Sequence, residues 1–381
     1  MNHYLNNAGA AIMSPVTIAT IQRHLDRETQ IGGYQAAAER DPDIRHFYES
    51  VAILINGLDA SNIAFMDSAS RAWNMALYGM PIQHGDLIVT LSSEFGTNLV
   101  SLYHFANKVG ARVRVVNCDA RGHFDLSEIE TGLKQGARLV AISHAAAHGS
   151  IVNPVEDIGK LAAAYDALYL VDGCQSVGQI AIDVQAIGCH AYTGTGRKWL
   201  RGPRGTGFLY VKSDAPISPL YVDLASADLT FADDNKTPNG VNIRQDACRF
   251  ELWERSVAGV LGLGVAIQEY LELDKMVAFS RMQNSSRMLR ESVAQRADLH
   301  LLGEVCSPSS VVGFYLLDPS KEAGLRERFA SEGVQISTMG DWDCPLHFPR
   351  NGAKSIFRLS AHYYTPDATI ELAKKIIDQF K

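Results

Sequence analysis

From about residue 60 to residue 211 the chain alternates short β-rich runs with segments of helical spacing, and this alternation limits its fold more than any other feature. Runs at 86–91 (DLIVTL), 112–116 (RVRVV), 138–143 (RLVAIS), 168–171 (LYLV), 190–193 and 206–211 (TGFLYV) are separated mostly by amphipathic stretches such as 98–109, 126–134 and 155–165. Parallel neighbouring strands need a crossover between them, and a helix is the usual crossover. The runs are almost continuously apolar, which fits a sheet covered on both faces. After about residue 255 the texture changes to long helical stretches at 256–273 and 279–296. Then come β-like runs at 310–317 and 356–360, helical spacing near 321–332 and a final helix over 367–380. The expectation is an α/β chain in two parts. Residues 15–255 form a large domain, a mostly parallel sheet flanked by helices; residues 1–14 and 256–381 form a smaller α+β domain. The polar stretch 230–239 (TFADDNKTPN) is expected to be an exposed loop.

A length of 381 residues supplies enough core to make disulfide or metal staples unnecessary. The net charge of −7, with no long Lys/Arg run, argues against nucleic acid or anionic membrane as a partner. The one basic cluster (Arg197, Lys198, Arg201, Arg204) is short and interleaved with glycine, so it suits a small anion. The longest strongly apolar stretch, 257–267, is far short of the roughly 20 residues a membrane span requires. Six scattered cysteines without a CxxC pair argue against a zinc site and a secreted disulfide framework. The opening residues carry no leader pattern, and a cytoplasmic, reduced protein is the expectation.

In open α/β sheets ligands bind beyond the carboxyl ends of the strands, so the residues just after each run are the site candidates. They are Asp172-Gly173-Cys174-Gln175 after LYLV, and Thr193-Gly194-Thr195-Gly196-Arg197-Lys198 after the next strand. To these are added His144 to Gly149, Ser92 to Gly96, and Ser68-Ala69-Ser70-Arg71 at a helix start. A phosphorylated pyridine aldehyde needs this set. The aldehyde needs an amine to form an imine, and the ring nitrogen needs a carboxylate to keep it protonated. The ring face takes an aromatic cover, and the phosphate takes N–H groups at a helix start with Ser/Thr and Arg donors. His144 and His148 have metal-ligand spacing but lack the accompanying Glu and follow a strand, so no metal is expected. P-loop, Rossmann and nucleophile-elbow patterns fail on spacing.

The segment VDGCQSVGQIAIDV, with TGRKWLRGPRGTGFLYV placing Lys198 26 positions after Asp172, resembles the central signature of the class V aminotransferase group of fold-type I pyridoxal-phosphate enzymes. That group includes cysteine desulfurases and isopenicillin N epimerase. The resemblance runs from YLNNAGAA to FRLSAHYYT, and GGYQAAAER (32–40) is similar to the hercynylcysteine sulfoxide lyases of ergothioneine biosynthesis. It implies a Schiff base on Lys198, with Asp172 on the pyridine nitrogen and Gln175 on the phenolic oxygen. It also implies Phe95 stacked on the ring, and Ala69, Ser70, Thr195 and Arg197 around the phosphate. Arg358 would clamp the substrate α-carboxylate. His148 stands where relatives carry Asn beside the cofactor and is expected to donate a hydrogen bond or carry a proton.

Two departures matter. Leu252-Trp253-Glu254 replaces the usual Ala-Gly-Thr after Arg249-Phe250-Glu251, and the surroundings of Cys344 (GDWDCPLHF) do not resemble a desulfurase cysteine loop. The implied activity is β-elimination from a cysteine thioether or sulfoxide, releasing pyruvate and ammonia. Transamination, racemisation or epimerisation, and cysteine desulfuration are the alternatives; a cofactor-retaining binding relative is the non-enzyme alternative. A homodimer with the active site at the interface is implied by the resemblance.

Overall fold

The computed structural model describes residues 3–119, 121–232, 234, 236–350 and 352–381. Among these, seven strands form the central sheet: β1 (Ile63–Met66), β2 (Leu87–Leu91), β3 (Arg112–Val116), β4 (Ala137–Ser143), β5 (Leu168–Asp172), β6 (Ala191–Thr195) and β7 (Gly207–Val211). Their spatial order is β1-β7-β6-β5-β4-β2-β3. The strands from β3 across to β6 are parallel, while β7 and β1 each pair antiparallel at one edge. Every residue of β2, β5, β6 and β7 is buried. Alternate side chains enter two cores, with Tyr192, Phe208 and Tyr210 on one face and Ala191, Leu209 and Val211 on the other. Each such large side chain stabilises the fold by about 1.5–3 kcal/mol relative to exposure.

The helices that bear on function are α1 (Pro15–Ile31), α2 (Asp41–Leu54), α3 (Ala69–Gly79), α4 (Gly96–Val109) and α5 (Val257–Glu272). Helix α5 falls in the residues assigned from sequence to the second domain, yet it buries Val260, Leu263 and Ile267 in the same core as Phe47 and Val51 of α2. Gly262 makes this close packing possible, since a Cβ there would lie 2.7 Å from Ile21 on α1. The stretch 230–239, expected as an exposed loop, connects the antiparallel strands β8 (Ala227–Phe231) and β9 (Pro238–Ile243), and only its ends at 230–231 and 238–239 are strand. Residues 233 and 235 lie outside the described residues.

A second sheet holds β10 (Leu299–Leu302), β11 (Val311–Leu316), β12 (Ser337–Met339) and β13 (Ile356–Ser360), all antiparallel, in the order β10-β11-β13-β12. Its core joins Phe314 and Phe357 to Leu289 and to Ile376 of the closing helices. Leu5 belongs to this core as well. The Leu5 carbonyl accepts from Ser360 N (2.8 Å), Asn7 Nδ2 donates to Ser360 O (2.7 Å) and Ala8 N donates to Ser360 Oγ (2.8 Å). Among the described residues no helix is long and apolar enough to cross a membrane, and no cluster of His, Cys, Asp and Glu is arranged to hold a metal. All six cysteines are free.

Candidate active site

The chain leaves β2 toward β3 at the sheet edge and returns to β4 on the other side of β2, which opens a crevice at the carboxyl ends of these strands. There lies a cavity of about 280 Å³, walled by Ser70, Phe95, Asp172, Gln175, Thr195 and Lys198 among others. Helix α3 begins at its edge. Ser68 caps that helix by accepting from Arg71 N (3.1 Å), and the N–H groups of Ala69 and Ser70 come too early for any intrahelical acceptor. Gly207 of β7 allows this helix start to approach the sheet, because a Cβ there would stand 2.5 Å from Gly194 O and 3.1 Å from Ala69 N.

Asp172 ends β5 and is held by three donors. Its Oδ1 accepts from Thr193 Oγ1 and Cys174 N, and its Oδ2 from Asn98 Nδ2, each at 2.9 Å. Lys198 sits in the loop after β6, buried, with no ion pair or hydrogen bond to its amine among the described residues. Burial pushes the amine down to about 8; the neighbouring Arg197 pushes the same way, while Cys174 and Asp172 oppose it. Gln175 spends one N–H on Ala8 O (3.1 Å) and its Oε1 on Trp199 Nε1 (3.0 Å), which leaves one amide N–H for the cavity.

Thr195 lines the cavity and accepts from Arg197 (3.1 Å), also at the wall. Phe95 lines it and backs onto the small apolar group of Ala147, Met339, Cys344 and Ile356. Arg358 of β13 is buried behind the wall, donating to Ala147 O (2.9 Å) and Ser337 Oγ (3.0 Å), and its charge reaches Lys198.

His148 is not brought to the cavity. Ala145 and Ala147 face it, and the next side chain turns into the seam with the second sheet, where His148 Nε2 meets His347 Nδ1 at 2.9 Å. Burial, with His347 and Arg358 adding, pushes His148 down to about 3, so its ring is neutral near neutral pH. His144 is likewise buried, against Tyr192 OH (3.2 Å). Cys344 has no exposed surface, and burial pushes its thiol up to about 12. Its segment is seated on α4: the Trp342 carbonyl lies 1.9 Å from where a Cβ on Gly96 would be.

Sequence reasoning placed Glu94 among the residues after a strand without giving it a role, and passed over Asn98 and Ser143. Glu94 and Asn98 are nearly inaccessible, and Glu94 is surrounded by N–H and O–H donors from Ser143, Phe95 and Asn98. The one signal was a glutamate at a strand end followed four residues later by an asparagine on a helix.

This donor set fits a phosphorylated pyridine aldehyde: N–H groups at a helix start with hydroxyls, an amine and a well-held carboxylate all line one cavity. Fold and site together define a fold-type I pyridoxal-phosphate enzyme of mixed α/β architecture. The family model for aminotransferase class-V matches residues 3–372, and the chain belongs to that family. It is a pyridoxal-phosphate-dependent enzyme. A probable cysteine desulfurase of Methanothermobacter thermautotrophicus is 26% identical over 390 residues, covering 99% of this chain and 94% of the relative. Among solved structures, the apo cysteine desulfurase of Thermococcus onnurineus NA1 superposes with a TM-score of 0.87 at 20% identity, covering 99% of this chain and 94% of that one. A cystine C-S lyase, in complex with its product cysteine persulfide, gives 0.86 at 21% identity, covering 100% and 98%.

Proposed function

We propose that this enzyme cleaves the carbon–sulfur bond of a cysteine-derived amino acid, with Lys198 carrying the cofactor and moving the α-proton. The observation behind this reading is a buried amine, without ion pair or hydrogen bond among the described residues and pushed down to about 8, sharing one small cavity with a carboxylate held by three donors. Pyridoxal phosphate supplies an aldehyde for covalent capture and a ring that withdraws electrons from the substrate α-carbon. The chain's own residues do the rest. Ala69, Ser70, Thr195 and Arg197 hold the phosphate. Asp172 keeps a proton on the ring nitrogen, the remaining N–H of Gln175 serves the phenolic oxygen, and Phe95 covers the ring. Arg358, fixed by Ala147 O and Ser337 Oγ, offers its outer N–H groups to the substrate carboxylate. Lys198 Nζ, once freed, takes the proton from the α-carbon and can return it to the leaving sulfur.

Two outcomes of this cleavage differ in their use of Cys344. The names of the relatives favour cysteine desulfuration, which needs a thiol able to accept sulfur. The burial of Cys344 in an apolar pocket favours elimination to pyruvate and ammonia, because a thiol pushed up to about 12 has almost no thiolate at neutral pH. Cys344→Ala decides between them. Under elimination, pyruvate release from a cysteine S-conjugate stays within about threefold of wild type. A loss of about 100-fold or more, with alanine as the wild-type product from L-cysteine, establishes desulfuration instead.

A second copy of the chain is proposed to cover an exposed apolar face of the large domain. There Tyr34, Leu224 and Trp253 are strongly exposed around a groove of about 770 Å³, and the neighbouring hairpin exposes Leu229, Phe231 and Val241. Such a patch on a soluble monomer is costly. Light scattering is expected to give twice the chain mass, and Trp253→Asp with Leu224→Asp to halve it. A monomeric wild type refutes the pairing. A reduced, cytoplasmic setting is proposed as well, from six scattered cysteines without a CxxC pair.

A further inference from the structure

Glu94 is the most deeply buried carboxylate near the cavity, and none of the steps above uses it. It follows β2, is 1% exposed, and reaches three elements at once. Its Oε2 accepts from Ser143 N at the end of β4 (2.5 Å). Its Oε1 accepts from Phe95 N (2.8 Å), from Asn98 Nδ2 on α4 (2.9 Å) and from the Ser143 hydroxyl. All of these donors are neutral. The same Asn98 nitrogen donates its other hydrogen to Asp172 Oδ2 at 2.9 Å, so one amide group spans two buried carboxylates.

That arrangement has two physical consequences. With an acceptor on each side, the Asn98 amide cannot turn its oxygen toward Asp172 without facing carboxylate oxygens, so its N–H stays on Asp172. Like charges separated by one amide in a low-dielectric site also make each carboxylate a better holder of protons. The ionisable group acting on Glu94 is Asp172, from β5; β4 and α4 present only the Ser143 and Asn98 donors. Burial, with Asp172 adding, pushes Glu94 up to about 7 against its hydrogen bonds, so its charge is present above that pH and lost below it.

We propose that Glu94 is a positioning residue that acts through Asn98 on Asp172, and so strengthens the hold of Asp172 on the proton of the cofactor's ring nitrogen. This rests on Asp172 facing that nitrogen, as read above. It assigns a remote carboxylate, without contact to cofactor or substrate, to the electronic setting of the ring.

The test uses the holoenzyme, with Glu94→Gln and Asn98→Ala as independent ways to break the chain. Two quantities are read besides activity: the visible absorbance of bound cofactor from pH 5 to 9, and pyridoxal-phosphate affinity of the apoenzyme by quenching of tryptophan fluorescence. Wild type is expected to show a spectral step near pH 7. Both variants are expected to lose that step and to bind the cofactor about tenfold more weakly, which corresponds to one pK unit of lost interaction. Asn98→Ala leaves Glu94 and its Ser143 contacts in place, so it reports even if Glu94→Gln does not fold. A merely structural clip would lower thermal stability while leaving the spectral pH profile as in wild type, and that result overturns the proposal. A wild type that takes up no cofactor overturns both this role and the proposed function; one that binds it while both variants keep the wild-type profile overturns only the role of Glu94.

Discussion

Lys198→Ala is expected to abolish turnover, lowering kcat/KM by about 10⁴-fold, since one side chain both tethers the cofactor and moves the proton. The fold should survive. The amine makes no ion pair or hydrogen bond among the described residues, and removing a buried basic group relieves a desolvation cost. The variant is therefore expected to keep its thermal transition, bind pyridoxal phosphate only reversibly, and take no cofactor mass at position 198 after borohydride reduction. In the wild-type apoenzyme the rate of covalent capture should rise with pH and level off above about 8, because the neutral amine is the nucleophile and burial has moved its titration down to that point. A Lys198→Ala protein with even a tenth of wild-type turnover would remove this residue from the mechanism.

Asp172→Asn is expected to lower kcat by about 10²–10³-fold with a smaller effect on KM, the signature of a charge used mainly in the transition state. The substitution preserves shape, but it places an amide where three donors already converge. One of the contacts from Thr193, Cys174 or Asn98 must then be lost or turned. Product release under saturating substrate, set beside the melting temperature, separates the chemical effect from this rearrangement. Wild-type kcat in the variant would show that the ring nitrogen has no need of the carboxylate.

Much of this arrangement is visible in the amino acids. Strand ends are easy to find when runs such as LYLV stop at an acidic residue and glycine, so Asp172 and the Gly/Arg loop around Lys198 stand out. Phe95 and Thr195 follow from the same rule and Ser70 from its place at a helix start, and all of them reach the cavity wall. What fails is information that only tertiary contact carries. His148 sits one residue beyond Ala147, and that single step turns its side chain from the cavity into the seam between the sheets. Asn98 looks like any polar residue on a helix until its neighbours are known. The strand Ile63–Met66 is four residues long and joins the sheet at its antiparallel edge, where no crossover helix announces it. The hairpin strands were hidden because their large apolar side chains, Leu229, Phe231 and Val241, are exposed to solvent instead of marking a core.

The stitching of the opening residues to β13 also has a consequence for biosynthesis. Residue 5 emerges from the ribosome long before residue 360, its hydrogen-bonding partner, and the carbonyl of Ala8 that orients Gln175 lies in the same early stretch. The central sheet can form while translation continues, but the pocket stays open along one side until β13 has emerged. Competence to retain the vitamin should therefore appear late and abruptly, as β13 captures the opening residues.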